Sequence, residues 1–501
     1  MNILILPILI PTLSAIACLF LRNRIQAQKM VSVVGLLSVL LISCAILWKV
    51  HEGSILVLTV GEWAAPYGIV LVSDILSAIM LVVSNLIGCA VLIYAFDEIS
   101  EGEQKRFFFP LYHFLMMGVN GSFLTGDLFN LYVWFEVMLM SSFVLLALGR
   151  KRDQLEGSIK YVSLNLFASI LFLAGVGILY GKLGTLNMAD IASKLGNLED
   201  SSLINSSAIL FLAAFGIKAG LFPFFFWLPA SYHTPSVSIS ALFAGLLTKV
   251  GVYALMRTFT LFFVQDISFT HNLLLILAAA TMVTGVLGAA AQFEMRRILS
   301  FHIISQIGYM ILGLALFTPL ALAGAIFYLA HHIIVKTNLF LISGAVIRYL
   351  GTDHLAKTGG LYRHAPWLAV LFFIPAFSLG GIPPLSGFWA KFSLVKAGLQ
   401  EHELWVVAIA LLVGILTLFS MTKLWAEVFW KRLPNQDKDK ESEPKLGSVP
   451  RGMILPIAVL AIFTVIIGLC SQPFFVVAER AAEQLLDPTS YISAVLNGGN
   501  S

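Results

Sequence analysis

Long apolar runs separated by short polar connections dominate the chain from end to end. A helix crosses the hydrocarbon core with roughly 20 mostly apolar residues, and the runs have this length. By this criterion the pattern predicts about 14 transmembrane helices, an all-α integral membrane protein. Strands of a membrane barrel are excluded because they alternate over about ten residues. The runs lie near 3–21, 31–49, 71–95, 107–125, 128–148, 158–181, 205–229, 236–258, 272–291, 300–317, 321–349, 367–398, 404–430 and 453–476.

Composition supports this class, with 59% hydrophobic and 12% charged residues among 501. Soluble proteins carry roughly a quarter charged residues. No basic patch with interleaved aromatic residues occurs, so nucleic acid is not an expected partner. The 4 cysteines lie in or beside apolar runs without C-x-x-C spacing, which is typical of packed thiols rather than a metal site.

Basic residues alternate between the connections, and this alternation predicts the orientation. Positive loops stay in the cytoplasm, so both termini are expected outside, as an even number of spans requires. The poorly basic side offers little beyond Lys182, Lys194 and Arg257. The basic connections carry Arg22, Arg24, Lys29, Lys105, Arg106, Arg150, Lys151, Arg152, Arg296, Arg297, Arg348, Lys357 and Arg363. The polar insert 431–452 belongs to the same side and is expected to form a solvated loop. Its basic residues are Lys431, Arg432, Lys438, Lys440, Lys445 and Arg451.

Several ionisable residues fall inside the predicted spans, where charge is costly and marks functional sites. A lysine buried without a counter-ion releases its proton more readily than an exposed one, because desolvation disfavours the charged form. Structural ion pairing is the alternative, but four buried lysines have one obvious mid-span carboxylate. We therefore interpret the set as proton carriers: Glu136, Lys218, Lys249, His332, Lys336 and Lys391.

His332 and Lys336 are four residues apart, so they share one helix face and can pass a proton along it. His331 points roughly 100° away and is interpreted as a packed or loop-bonded histidine.

Two spans contain helix-breaking residues beside a lysine. The seventh has Gly216, Gly220, Pro223 and Pro229 around Lys218, and the twelfth has Gly380, Gly381, Pro383, Pro384 and Gly387 before Lys391. Pro removes a backbone donor and Gly loosens the helix, so both spans are predicted to break mid-membrane. Breaks five spans apart are the signature of an inverted-repeat transporter. Packing kinks are the alternative, but they do not explain the adjacent lysines.

Sequence motifs around these residues resemble the antiporter-like subunits of respiratory complex I over nearly the whole chain. They are Lys218-Ala-Gly-Leu-Phe-Pro with Ser238-Ile-Ser-Ala-Leu, Thr248-Lys-Val-Gly-Val-Tyr, Arg296-Arg-Ile-Leu-Ser, His332-x-x-x-Lys336 and Gly381-Ile-Pro-Pro-Leu-Ser-Gly-Phe-Trp-Ala-Lys391. Within this superfamily the chain is similar to the D-type subunits of the Mrp (multiple resistance and pH) Na⁺/H⁺ antiporters. Three features favour that group: the segment 130–143, a lysine rather than a glutamate at position 391, and an end soon after the fourteenth span, without a long lateral helix.

The resemblance implies a single membrane domain, 1–501, with two inverted five-helix repeats of spans 4–8 and 9–13, each containing a broken helix. Its parts are spans one to three in 1–106, the first repeat in 107–258, the second in 272–430, and the last span with a tail in 453–501. Glu136 would modulate Lys218, Lys249 and His332 would relay protons with help from Lys336, and Lys391 would exchange protons with one side.

The resemblance also implies a function: proton translocation in exchange for sodium export in a bacterial cell membrane, with partner subunits of the A, B, C, E, F and G types. A membrane subunit of complex I or of a related hydrogenase complex is the first alternative. A solute symporter and a purely structural scaffold are others. No phosphate-binding loop, nucleophile elbow or metal-ligand cluster is found, so we expect no cofactor and a gradient-driven transporter rather than an enzyme.

Overall fold

A computed structural model describes residues 3–196, 202–433 and 447–497. Part of the predicted polar insert, including Lys438, Lys440 and Lys445, therefore lies outside the described residues. The first half contains α1 (Leu6–Phe20), α2 (Ile25–His51), α3 (Ile75–Glu98), α4 (Glu101–Glu103), α5 (Phe109–Leu124), α6 (Leu128–Leu146), α7 (Arg152–Leu183), α8 (Met188–Leu195), α9 (Ser202–Ala219), α10 (Trp227–Ser231), α11 (Val237–Gly245) and α12 (Leu247–Leu261).

The second half consists of helices and the connections between them in its described parts. Its helices are α13 (Ile267–Ala290), α14 (Met295–Leu316), α15 (Pro319–Leu350), α16 (Leu361–His364), α17 (Pro366–Gly380), α18 (Ser386–Gln400), α19 (Leu404–Trp425), α20 (Arg451–Leu469), α21 (Ser471–Leu486) and α22 (Thr489–Asn497). One small antiparallel hairpin of β1 (Leu56–Thr59) and β2 (Val70–Ser73) lies between α2 and α3, with Leu56 opposite Ser73.

The predicted multi-pass helical architecture is confirmed. Among the described residues, 12 helical segments are long and apolar enough to cross a bilayer, and Leu203–Ala219 and Pro366–Gly380 are shorter apolar helices. The two short segments are the seventh span and the first part of the twelfth, where the sequence predicts breaks. Their shortness is a direct consequence of those breaks.

Both predicted breaks are present, and the backbone shows their cause. Helix α9 ends at Ala219 and α17 at Gly380, and each is followed by a glycine in the left-handed region, Gly220 with φ 84° and Gly381 with φ 89°. A residue with a Cβ rarely adopts this conformation, so glycine permits the chain to leave the helix there. A third interruption, at Leu246 between α11 and α12, was not predicted.

The polar interior of the molecule is assembled around α12, α14 and α15. The span formed by α11 and α12 is completely buried, whereas α2 and α7 keep large exposed apolar faces. Helix α15 contacts α3, α11, α14, α17, α18, α20 and α21. A helix that is covered on every side is typical of the centre of a membrane bundle.

The segment after the fourteenth span folds back onto the bundle instead of ending as a simple tail. Helix α21 packs against α3 and α15, and α22 packs against α8 and β1. These two helices were not predicted as separate elements, because α21 contains three charged residues and α22 has only 9 residues, so neither meets the criterion for a span.

Candidate functional site

Glu136 on α6 and Lys218 on α9 lie close to each other, with Ser169 of α7 between them. Lys218 Nζ donates a hydrogen bond to Ser169 Oγ at 3.2 Å, and Ser169 Oγ donates to the Glu136 carboxylate. The Lys218 ammonium also lies 4.8 Å from the ring centroid of Phe135. A hydroxyl therefore stands between the two charges, and within the described part of the chain they do not form a direct ion pair. Ser169 was missed in the sequence because serines are common in membrane helices.

Close packing at the break holds Lys218 in position. Trp227 Nε1 donates to the carbonyl of Ile217 at 2.9 Å, which satisfies a backbone group beside the broken end. A Cβ at Gly251 would lie 2.7 Å from the amide nitrogen of Ala219, so glycine lets α12 approach the end of α9. A cavity of about 20 Å³ beside Lys218 has room for about one water molecule.

Lys249 is fully buried on α12, at the interruption that the sequence did not reveal. Its Nζ donates a hydrogen bond to the carbonyl of Ala244, on the other side of Leu246. The interruption thus places a backbone acceptor where the buried ammonium needs one. This contact involves no counter-ion, so it can serve a lysine in either protonation state.

His332 and Lys336 lie one turn apart on α15, and both are fully buried. In the described residues neither ring nitrogen of His332 nor Nζ of Lys336 has a hydrogen-bond partner. The charge of Lys249 acts on both of them by electrostatic repulsion. Lys249, His332 and Lys336 are therefore within electrostatic range of one another, and we call these three residues the central cluster.

His302 on α14 is a further buried ionisable group that sequence reasoning missed. It is fully buried, its ring nitrogens have no partner among the described atoms, and it interacts electrostatically with Lys336 and Lys391. His302 is therefore within electrostatic range of both Lys336 and Lys391. The available signal was a histidine near the start of an apolar span.

Lys391 lies on α18 and reaches back to the broken end of α17. Its Nζ donates to the carbonyls of Leu379 at 2.9 Å and Gly380 at 3.4 Å, and it lies 4.9 Å from the Tyr309 ring centroid. The last carbonyls of a helix carry partial negative charge, which favours an ammonium there. The break thus supplies the binding groups for the lysine beside it.

His331 is bonded to the same break, in line with its interpretation as a loop-bonded residue. Its Nδ1 lies 2.8 Å from Ser386 Oγ, at the start of α18. Ser386 Oγ is 3.1 Å from Ser378 Oγ on α17, and the amide of Gly387 donates to Ser378 Oγ at 3.2 Å. This chain of hydrogen bonds joins the two halves of the twelfth span to α15.

Three acidic residues of the first half, whose carboxylates could serve as oxygen ligands for a cation, have separate partners. Asp74 pairs with Arg257 at 2.6 Å, Asp127 accepts from the amide of Asn130 at 2.7 Å, and Glu136 bonds Ser169. No group of three or more His, Cys, Asp or Glu side chains that could hold a metal ion occurs among the described residues.

Comparison with known proteins identifies the family of this chain. Residues 125–417 match the family described as NADH:quinone oxidoreductase/Mrp antiporter, transmembrane. The chain is 50% identical over 495 residues to the D-type subunit of the Na⁺/H⁺ antiporter of Alkalihalophilus pseudofirmus and 40% identical over 495 residues to that of Bacillus subtilis, with 99% of this chain and 99% of each relative covered. Among solved structures, a chain of the Mrp complex from Dietzia sp. superposes with a TM-score of 0.92 at 35% identity, with 99% of both chains covered. The chain therefore belongs to the NADH:quinone oxidoreductase/Mrp antiporter transmembrane family and, within it, to the D-type subunits of Na⁺/H⁺ antiporters.

Proposed function

We propose that this chain carries protons across the membrane as one member of a multi-subunit Na⁺/H⁺ antiporter, in exchange for cation export. It is part of a secondary transporter rather than an enzyme, and it works in a complex with the other antiporter subunits. The observation that carries the residue assignment is the hydroxyl of Ser169 between Glu136 and Lys218.

In this proposal Glu136 controls the proton affinity of Lys218 through distance. Two charges attract more strongly as they approach, and the effect is several-fold larger in a protein than in water. When the carboxylate moves closer, Lys218 holds its proton, and when it moves away, Lys218 releases it. Ser169 both donates and accepts hydrogen bonds, so it can pass a proton while it keeps the charges apart.

From Lys218 the proton would travel through the central cluster of Lys249, His332 and Lys336, then past His302 to Lys391. Unpaired polar atoms in a buried site are costly, and ordered water is the usual partner for such atoms. The unpartnered nitrogens of the cluster therefore favour a hydrated axis during transport. Protons would leave Lys391 toward one side of the membrane.

The two-repeat organisation, with 107–258 and 272–430 as its halves, is supported by matching local features. Helices α7 and α15 are both 32 residues long. Asp127, the residue before α6, forms an isolated β-bridge with Asn187, which lies four residues beyond the end of α7. Glu294, the residue before α14, forms the same kind of bridge with His354, four residues beyond the end of α15. On the proposed orientation these two bridges lie on opposite sides of the membrane, as inversion requires.

We also propose that both termini lie outside, because the basic connections alternate with poorly basic ones. Half-buried Glu136 lies between two exposed residues of α6, Val133 and Met140. A carboxylate at a partly open face inside a membrane is costly unless it is covered. A neighbouring subunit is therefore expected against this face of α6.

A redox-linked complex would use the same proton path, and the matched family includes both kinds of protein. Identity of 50% over nearly the whole chain to a protein of the antiporter type favours antiport.

The test is Lys218→Ala in the whole complex, assayed for sodium-driven proton movement in inverted vesicles from an antiporter-deficient host. Loss of antiport with normal assembly is expected. Lys194→Ala is the matched control, because Lys194 is an exposed lysine paired with Asp190 at 2.9 Å. Antiport that survives Lys218→Ala would show that the buried lysines are structural and that protons cross in a partner subunit.

A further inference from the structure

The proton path proposed above leaves one buried charge cluster unused, at the outer end of α12. Arg257 Nη1 lies 2.6 Å from Asp74 Oδ2, and the two side chains are only 6% and 3% exposed. Asp74 precedes the first residue of α3 and accepts from the amide of Ser77 at 2.9 Å. The pair therefore ties α12 to the start of α3.

Two tyrosines complete this cluster. Arg257 Nη2 donates to Tyr253 Oη at 3.3 Å, and the Tyr253 hydroxyl donates to the carbonyl of Phe123 at 2.9 Å. The guanidinium carbon of Arg257 lies 5.5 Å from the ring centroid of Tyr253 and 5.3 Å from that of Tyr491 on α22. Each ring face attracts the cation, so the guanidinium is held from several directions.

Lys249, Tyr253 and Arg257 are spaced four residues apart on one helix. Residues with this spacing lie above one another on one face, so a polar stripe leads from the central cluster toward the outer surface. Such a stripe would let protons leave toward the outer aqueous phase if each of its three side chains could accept and release a proton. Its last group cannot, because a guanidinium stays protonated at all working pH values.

We propose that the Asp74–Arg257 pair, with Tyr253 and Tyr491, is a barrier that closes the first repeat to the outer aqueous phase. The guanidinium takes up no proton, and the charged Asp74 carboxylate holds it in place, so no group at this end of the stripe can receive a proton from Tyr253 and pass it on. Because protons cannot leave at this end of the stripe, those on Lys249 move on to His332 and Lys336. This inference rests on the proposed function, because it assumes that Lys249 carries protons.

The pair is well suited to stay charged. Burial alone would raise the pKa of Asp74, but the Arg257 charge and the hydrogen bonds from Ser77 outweigh it, so that pKa lies below its usual range. The carboxylate therefore keeps holding the guanidinium across the working pH range.

The experiment measures passive proton leak in inverted vesicles that contain the whole complex. A pH gradient is formed by respiration without sodium, respiration is stopped, and the decay of the gradient is followed. The double variant Asp74→Asn/Arg257→Gln removes both charges together and keeps hydrogen-bonding side chains. We expect its gradient to decay about tenfold faster, the change that a barrier lowered by ~1.4 kcal/mol produces. A matched control is Arg480→Gln, because Arg480 contacts His51 on the same face outside the cluster.

Leak at the wild-type rate from an assembled double variant would overturn the proposal and leave the pair as a structural tie. If the double variant does not assemble, Arg257→Lys decides, since it keeps the ion pair but introduces a group that can exchange protons. Faster leak then supports the barrier, and unchanged leak refutes it. Adding Lys249→Ala to the leaking variant is expected to abolish the leak. Sodium-driven antiport in Lys218→Ala tests the proposed function separately.

Discussion

Replacing Ser169 with alanine removes the hydroxyl between Glu136 and Lys218 and leaves both charged groups in place. Two hydrogen bonds in series hold the charges at most about 6 Å apart, whereas a direct ion pair brings them to about 2.8 Å. At an effective dielectric constant of about 20 their attraction would rise from about 2.8 to about 5.9 kcal/mol. Glu136 is only half-buried, so solvent screens roughly half of this gain, which leaves about 1.5 kcal/mol.

This extra attraction stabilises the protonated form of Lys218, so the proton leaves only at higher pH. We expect Ser169→Ala to slow antiport at neutral pH about tenfold and to move its pH optimum about one unit toward alkaline pH. The assay is sodium-driven proton movement in inverted vesicles across a pH series, at equal amounts of assembled complex.

Two variants control for loss of a serine as such. Ser169→Thr retains the hydroxyl and is expected to restore most of the rate. Ser158→Ala, on the same helix, removes a buried hydroxyl that donates to the Gln154 carbonyl at 2.6 Å, and it is expected to leave the pH optimum unchanged. An assembled Ser169→Ala complex with the wild-type rate and pH profile would refute the bridging role of Ser169.

Further predictions concern the elements that hold the site together. Gly381→Ala places a Cβ 3.1 Å from Cδ of Lys391 at φ 89°, so it should lower the melting temperature of the complex and reduce antiport; unchanged values of both would contradict the strain argument. His331→Ala removes the bond to Ser386 and should destabilise the complex by about 1–2 kcal/mol, with partial rescue by Asn, as measured by thermal unfolding. Glu98→Gln weakens the cap that Glu98 places on the amides at the start of α11, and a loss of about 1 kcal/mol is expected in the same assay.

Much of the architecture follows from the sequence because membrane helices obey simple rules. Run length located the spans, and the glycines and prolines after Lys218 and before Lys391 located both breaks. The charged residues Glu136, Lys218 and Lys249 were identified by the cost of charge in a bilayer. Their part in transport remains a prediction for the experiments above.

Other features could not be predicted, because they depend on contacts between distant helices. Gly245 precedes Leu246, but a single glycine without a proline does not distinguish an interruption from a continuous helix. The interruption there lets the carbonyl of Ala244 accept a hydrogen bond from Lys249. Ser169 gains its importance from a position between two charges that other helices supply. Arg257 was counted among the residues of the poorly basic connections, whereas the structure pairs it with Asp74 inside the protein.

The cluster of Asp74, Tyr253, Arg257 and Tyr491 also has a consequence for how the protein is made. The amide of Ile75 at the start of α3 bonds Gln484 of α21, which is 409 residues later in the chain. At a synthesis rate of about 5–20 residues per second, α3 is made roughly 20–80 s before its partner. Arg257 is likewise made before Tyr491 on α22, so their contact forms only after the end of the chain has been made. The contacts of this cluster are therefore among the last parts of the protein to form, and a chain interrupted before α21 would reach the membrane with its spans in place but without these contacts.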